Sequence, residues 1–364
     1  MPGPDLFAPL PFASGLVMKN RFMLAPLTNQ QSHADGTMSE DEFRCLTMRA
    51  EGGFGLTMTC AAHVQARGQG FAGQLGVWSD HHLEGLTRLA GAIKANDSLA
   101  FLQMHHAGVR SPAELIGETP VGPSDDPETG ARALSGAEVE QLTEDFIAAA
   151  VRSERAGFDG VEIHGAHGYI LCAFLSPAFN RREDRWGGSI ENRARIILDI
   201  IEGVRSRCRP GFGLGLRLSP ERFGLRLEEI RQVATMAVAT GALDFLDMSL
   251  WDYRKEPEEE EMKGRSLMSY FTELDRGAVR LGAAGKIRTA ADARAVLEGG
   301  CDYAMIGRAA IICHDFPERV RADPDFHPPA LPVTEQHLAA EGLGPAFIQY
   351  MRNWKGFVAD PVEA

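Results

Sequence analysis

The chain has 364 residues, 44% hydrophobic and 24% charged, with a formal net charge of −13 from 37 basic and 50 acidic side chains. A chain of this size can bury a large core without metal or disulfide support, and its acidic balance argues against nucleic acid and anionic membranes as partners, though not against a locally basic phosphate pocket. Cys45, Cys60, Cys172, Cys208, Cys301 and Cys313 form no C-x₂-C pair, no stretch reaches the length of a membrane span, and Met1–Leu10 lacks a signal-peptide pattern, so a cytoplasmic protein with reduced thiols is expected.

Short, nearly all-apolar runs at Phe22–Ala25 and Leu56–Cys60 read as the first two strands. An amphipathic helix is expected over Asp80–Ala95, with Leu83, Leu86, Leu89, Ala90 and Ile93 on one face, then a strand over Ala100–Met104. A helix over Ser135–Ala156 opens on a capping box, Ser135 with Glu138, and leads into the strand Val161–His164. Helix Ser189–Arg207, strand Leu214–Leu218, helix Leu227–Thr240 and strand Phe245–Ser249 continue the alternation. Strand Val279–Ala283, helix Thr289–Gly299 and strand Tyr303–Gly307 complete it. Gly157, Gly241 and Gly299 stand where helices should stop, each followed within three residues by an Asp and a strand.

Strict alternation of apolar strands and helices means a parallel sheet covered on both faces. About eight units close it into a TIM (β/α)8 barrel, read here as a single domain over 1–364 with a C-terminal extension from about residue 325. The runner-up, an open doubly wound sheet, would carry a Gly-x-Gly-x-x-Gly turn after an early strand. The one dense glycine run, Gly211 to Gly215, has the wrong spacing and enters a strand instead of a helix. The connections His105–Leu134, Tyr169–Gly188 and Leu250–Leu267, after strands 3, 4 and 6, are longer than a barrel needs. Loops after strands lie on the face where barrel enzymes place their sites. Within the last, the glutamate-rich Lys255–Glu261 is expected to be a solvated, mobile tip.

The stretch from His164 through His167 to Tyr169 lies where a strand gives way to a long loop. Two imidazoles there can donate hydrogen bonds to a carbonyl, nitro or phenolate oxygen, and the phenol can supply a proton. The same pair could instead be a metal site, for which no further ligand stands at a fixed spacing, or a pair of structural histidines. Gly285-Lys286-Ile287 and Gly307-Arg308 follow the last two strands, where glycine turns and helix N-termini form phosphate sites. Gln103, Arg217 and Thr28 place polar groups in or at the ends of apolar strands, and together suggest a flat cofactor with a polar edge.

With these residues in view, the chain resembles the Old Yellow Enzyme family of FMN-dependent ene-reductases, from Leu6-Phe7 to about Gly307-Arg308. The match runs through Lys19-Asn20-Arg21, Ala25-Pro26, Trp78-Ser79-Asp80, Gln103 to Gly108 and His164 to Tyr169. It is strongest at Phe174-Leu175-Ser176-Pro177, Asn180-Arg181-Arg182 and Trp186 to Arg193. The resemblance implies non-covalent FMN, with Pro26, Thr28, Ala61, Gln103 and Arg217 against the ring and Gly285, Lys286, Gly307 and Arg308 around the phosphate. It implies His164 and His167 as holders of the substrate, Tyr169 as proton donor, and NAD(P)H using the same pocket in turn. A free phenol keeps its proton to about pH 10, which suits that role. Trp251, in the third long loop, is expected to touch substrate. No metal is expected; the partner is an electron-poor alkene, and a homo-oligomer is possible.

The chain departs from parts of that family. It lacks the four-cysteine pattern and the length of the iron–sulfur members, and has Thr28 and Gln30 where a thermophilic-like branch has cysteine and tyrosine. Tyr350 to Trp354 resembles a segment that reaches a neighbouring subunit's site in some members; a plain surface helix is the other reading. The competing functions are a flavin-dependent dehydrogenase or demethylase of a small amine, a barrel metal-dependent hydrolase centred on the two histidines, and a non-catalytic flavin binder.

Overall fold

The computed structural model describes residues 4–360; the first three residues of the Met1–Leu10 stretch and the last four of the chain lie outside them. In chain order, a short hairpin, β1 (Leu10–Pro11) and β2 (Val17–Met18), precedes β3 (Phe22–Leu24), α1 (Glu40–Glu51), β4 (Leu56–His63), α2 (Leu83–Lys94) and β5 (Leu99–His105). Next come α3 (Ala113–Ile116), β6 (Val121–Gly122), β7 (Arg132–Ala133), α4 (Gly136–Arg155), β8 (Gly160–Gly165), α5 (Ile170–Leu175), α6 (Ile190–Arg207), β9 (Gly213–Leu218), α7 (Leu227–Ala239) and β10 (Phe245–Ser249). The chain continues through α8 (Ser269–Thr272), β11 (Arg280–Ala284), α9 (Ala290–Glu298), β12 (Tyr303–Ile306), α10 (Arg308–Ile312), α11 (Phe316–Ala322), α12 (Glu335–Ala340) and α13 (Pro345–Met351).

Eight strands close into one parallel barrel in the order β10-β11-β12-β3-β4-β5-β8-β9. All eight expected strands are present, within a few residues of their expected ends. The capping box forms as read: the Ser135 N–H donates to Glu138 Oε2 at 2.9 Å and the Glu138 N–H to Ser135 Oγ at 3.2 Å. Among the described residues no helix is long and apolar enough to cross a membrane.

Two-residue alternation sends every second strand side chain into the barrel. The lower interior holds Met23, Met58, Phe101, Phe245, Tyr303 and Met305, packed against Leu10, Phe12 and Met18 of the N-terminal hairpin, which plugs that end. The glycine run discounted as a nucleotide loop has a packing role here. A Cβ on Gly213 would lie 2.3 Å from the Phe101 ring, and one on Gly215 would lie 2.2 Å from the Phe245 ring. Small residues on β9 thus make room for aromatics from β5 and β10, at a density that tolerates no extra methyl group.

Several features differ from the sequence reading. Helix α1 was not foreseen; most of its residues are polar, and Ser39 caps it by accepting from the Glu42 N–H. The Tyr169–Gly188 connection contains α5, whose six residues are all buried. The Lys255–Glu261 stretch is pinned: Lys255 pairs with buried Glu221, the Glu258 N–H donates to Glu221 at 2.7 Å, and Glu259 accepts from the Leu227 N–H at 2.6 Å. Glu256, Glu258, Glu260 and Glu261 are exposed as expected, so the difference lies in the ties that Glu221 and Glu259 make.

Candidate active site

The site occupies the mouth of the barrel at the C-terminal ends of its strands. Above the aromatic floor, the inward positions turn polar: Gln103 on β5, Glu162 and His164 on β8, Arg217 on β9, and Asp247 and Ser249 on β10. Register places Gln103 beside Glu162, His164 beside Arg217, and Asp247 beside Arg217 on its other flank. The Gln103 amide donates to Glu162 Oε1 at 2.7 Å, and Arg217 Nε lies 2.8 Å from Asp247 Oδ2 in an ion pair that lacks the angle of a directed hydrogen bond.

Burial pushes the Glu162 carboxyl up to about 8, with Asp247 adding to the rise and Arg217 opposing it. Burial also raises Asp247, to about 6, against the pull of Arg217. Near neutral pH the pair therefore holds one neutral acid, Glu162, and one carboxylate matched to Arg217. A folded chain that must keep Glu162 neutral, while the unfolded chain ionises it near 4.5, loses stability as pH rises from about 4.5 to about 8. Glu162→Gln keeps an acceptor for Gln103 and cannot ionise. Its stability relative to the parent should improve across that window, by on the order of a few kcal/mol, and level off above it. Urea melts of both proteins at pH 5, 6.5 and 8 measure the trend; a constant difference would mean that Glu162 is not held neutral.

Burial lowers His164, His167 and His105 well below the ordinary imidazole value, so these rings are neutral. Their hydrogen bonds then set the tautomers. The Ala166 N–H donates to His164 Nδ1 at 3.3 Å, which leaves the His164 proton on Nε2. That nitrogen lies 3.1 Å from His167 Nδ1, so His167 carries its proton on Nε2, 2.6 Å from Ser249 Oγ. Arg217 Nη2 donates to the same hydroxyl at 3.3 Å. The Tyr169 ring stands edge-on to His105 and His164, with centroids 4.3 and 5.3 Å away, and the Arg110 guanidinium lies 4.8 Å above it. Arg110 Nη1 also donates to the His167 carbonyl at 2.6 Å, tying down this loop.

On the far side of the mouth, Gly285, Lys286, Arg288, Gly307 and Arg308 line the same cavity. Gly285 has φ +155° and a Cβ there would lie 2.9 Å from the Asp252 backbone nitrogen, so only glycine lets the two loops meet. Lys286 spends its charge on Asp252 at 3.0 Å. Among the described residues Arg288 and Arg308 have no carboxylate partner, and burial together with the Arg288 charge lowers Arg308. Two unneutralised guanidiniums beside two glycine turns fit a phosphate dianion.

Of the residues singled out in the sequence, Pro26, Thr28, His167, Arg217, Trp251, Gly285, Lys286, Gly307 and Arg308 line one cavity. Ala61, Gln103, His164 and Tyr169 do not line it directly. Gln103 and His164 belong to the polar layer through Glu162 and His167. Ala61 sits beside Gln103 in register, and Tyr169 meets His164 edge-on. No group of three metal-ligating side chains forms among the described residues. Tyr350, Met351 and Trp354 line the cavity of their own chain, so the C-terminal segment is not a plain surface helix. The sequence reading missed Ser249, Arg288, Glu162 and Asp247. The last two carried a signal: a charged residue at an inward position of an otherwise apolar strand.

The family model described as NADH:flavin oxidoreductase / NADH oxidase matches residues 5–324. A probable NADH-dependent flavin oxidoreductase of Bacillus subtilis, YqiG, is 37% identical over 326 residues, covering 87% of each chain. The solved structure of the old yellow enzyme homologue from Zymomonas mobilis is 27% identical with a TM-score of 0.79, over 95% of this chain and 99% of that one. Morphinone reductase, solved in complex with tetrahydroNAD, is 27% identical with a TM-score of 0.78, over 99% of both chains. Several longer curated relatives are matched over only 31% to 49% of their own length.

Proposed function

The chain belongs to the NADH:flavin oxidoreductase / NADH oxidase family, and from that footing we propose that it is an FMN-dependent ene-reductase that draws hydride from NAD(P)H and reduces activated C=C bonds of enones, enals and nitroalkenes by a ping-pong mechanism. Bound FMN supplies the two-electron relay between nicotinamide and alkene. The observation that carries the reading is the neutral His164–His167 pair beside Tyr169, whose His167 lines the same cavity as the unneutralised Arg288 and Arg308.

Each side chain then has a task. Gly285, Gly307, Arg308 and Arg288 hold the phosphate; Lys286 contributes through its backbone and its tie to Asp252. Pro26, Thr28, Ala61, Gln103 and Arg217 hold the ring, with Gln103 oriented by Glu162 and Arg217 by Asp247. His164 Nε2–H and His167 Nε2–H, which are directed at His167 and Ser249, turn to the acceptor's oxygen and draw electron density out of the conjugated bond. Neutral imidazoles suit this work, because they donate without protonating the oxygen in the ground state. Tyr169 Oη delivers the proton that completes the saturated product. A cytoplasmic location belongs to the same reading.

The purified protein should be yellow, lose its colour with NADH or NADPH in the absence of oxygen, and regain it with 2-cyclohexenone. If nicotinamide bleaches the protein but no enone restores the colour, the ene-reductase reading fails.

A further inference from the structure

Three exposed or half-exposed residues beside the mouth hold backbone conformations that non-glycine residues rarely adopt: Arg222 at φ +69°, Phe223 at +53° and Trp251 at +66°. Such conformations are strained and persist only where the surroundings fix them. Here they do. The Phe223 ring packs where a Cβ on Gly168 would lie, 2.9 Å from its Cδ1, so the strained turn is seated on the histidine–tyrosine loop. The Arg222 and Leu225 backbones bridge to close that turn.

The result is an aromatic surface and a cation turned toward solvent. Trp251 is 59% exposed, lines the cavity, and carries the Arg222 guanidinium 5.4 Å from its ring centroid. Arg222 is exposed and has no carboxylate partner among the described residues. Its neighbour Glu221 is turned inward and taken by Lys255 and the Glu258 N–H, and Asp252, next to Trp251, is taken by Lys286. In a chain of net charge −13, a free guanidinium at the mouth of the site forms a local attraction for an anion.

We propose that Trp251 and Arg222 form the subsite for the adenylate half of the hydride donor, with the adenine ring on the indole and the pyrophosphate on the guanidinium. The inference rests on the reading that NAD(P)H enters this same mouth to reach the cofactor. An aromatic ring joined to a phosphate anion is what a platform of indole and guanidinium selects, and a dinucleotide with its nicotinamide inside the cavity carries that pair outward.

The test compares reduced nicotinamide mononucleotide, which lacks the adenylate half, with NADH and NADPH on the FMN-loaded parent, Arg222→Gln and Trp251→Leu. Binding of non-reducing tetrahydroNADH, followed by its perturbation of the flavin spectrum, gives affinity apart from turnover. In each variant the ratio of dinucleotide to mononucleotide affinity should fall about tenfold. The weakening of tetrahydroNADH binding by salt should also flatten in Arg222→Gln. An unchanged ratio in both variants overturns the subsite. If neither nucleotide reduces the parent's flavin, the donor reading itself fails, and the two failures are told apart.

Discussion

Tyr169→Phe is expected to slow reoxidation of the reduced enzyme by an enone by about 10²–10⁴-fold, the usual worth of a positioned general acid, while reduction by nicotinamide proceeds near the parent rate. The substitution removes a single oxygen. The ring keeps its edge contacts with His105 and His164 and its place beneath Arg110. Among the described residues the hydroxyl makes no hydrogen bond within the protein, so its loss leaves no buried partner orphaned. Reduction of the cofactor needs no proton from this atom, whereas completing a saturated product does. Anaerobic rapid mixing separates the two half-reactions. Equal slowing of both would mean that Tyr169 shapes the pocket and does not donate.

Arg308→Ala should weaken FMN binding to the apoprotein by about 10- to 100-fold, the worth of one charge-assisted hydrogen bond of roughly 1.5–3 kcal/mol, with little effect on riboflavin, which lacks the phosphate. The arrangement of charges at the site favours this outcome. Arg308 is half-buried, lines the cavity together with Arg288, and neither has a carboxylate partner among the described residues. Removing it relieves the repulsion between the two, so the apoprotein should be no less stable than the parent. Fluorescence titration of apoprotein with each flavin reads the difference. Equal losses for FMN and riboflavin would place Arg308 at the ring or in the structure, not at the phosphate.

The barrel was legible in the sequence because its strands are buried on both faces and stand out as apolar runs between helices with clear stops. What escaped were elements without that contrast. Helix α1 shows mostly polar residues, and α5 is six apolar residues packed mainly against α6 and β8, too short and too uniformly buried to show a helical period. The histidines, Tyr169 and the glycine turns could be placed on one face from the sequence, because they stand at or just past the C-terminal ends of β8, β11 and β12. Their electrostatic support was less legible. Whether Glu162 is neutral, whether Lys286 is free, and which imidazole nitrogen carries the proton depend on partners from β10 and the loop after it: Asp247, Asp252 and Ser249. Spacing along the chain does not encode those pairings; barrel register does. That Tyr350 and Trp354 line their own chain's cavity was hidden for the same reason, since it depends on the C-terminal helices folding back against Ile311 and Ile312.

Diffraction from crystals of the protein as purified addresses the account most directly. Density for a flat three-ring system across the strand ends, with its phosphate between Arg288 and Arg308 and one face toward His164 and His167, is the predicted result. A metal ion bridging the two imidazoles, or a phosphate-free ligand that leaves both arginines bare, would contradict it.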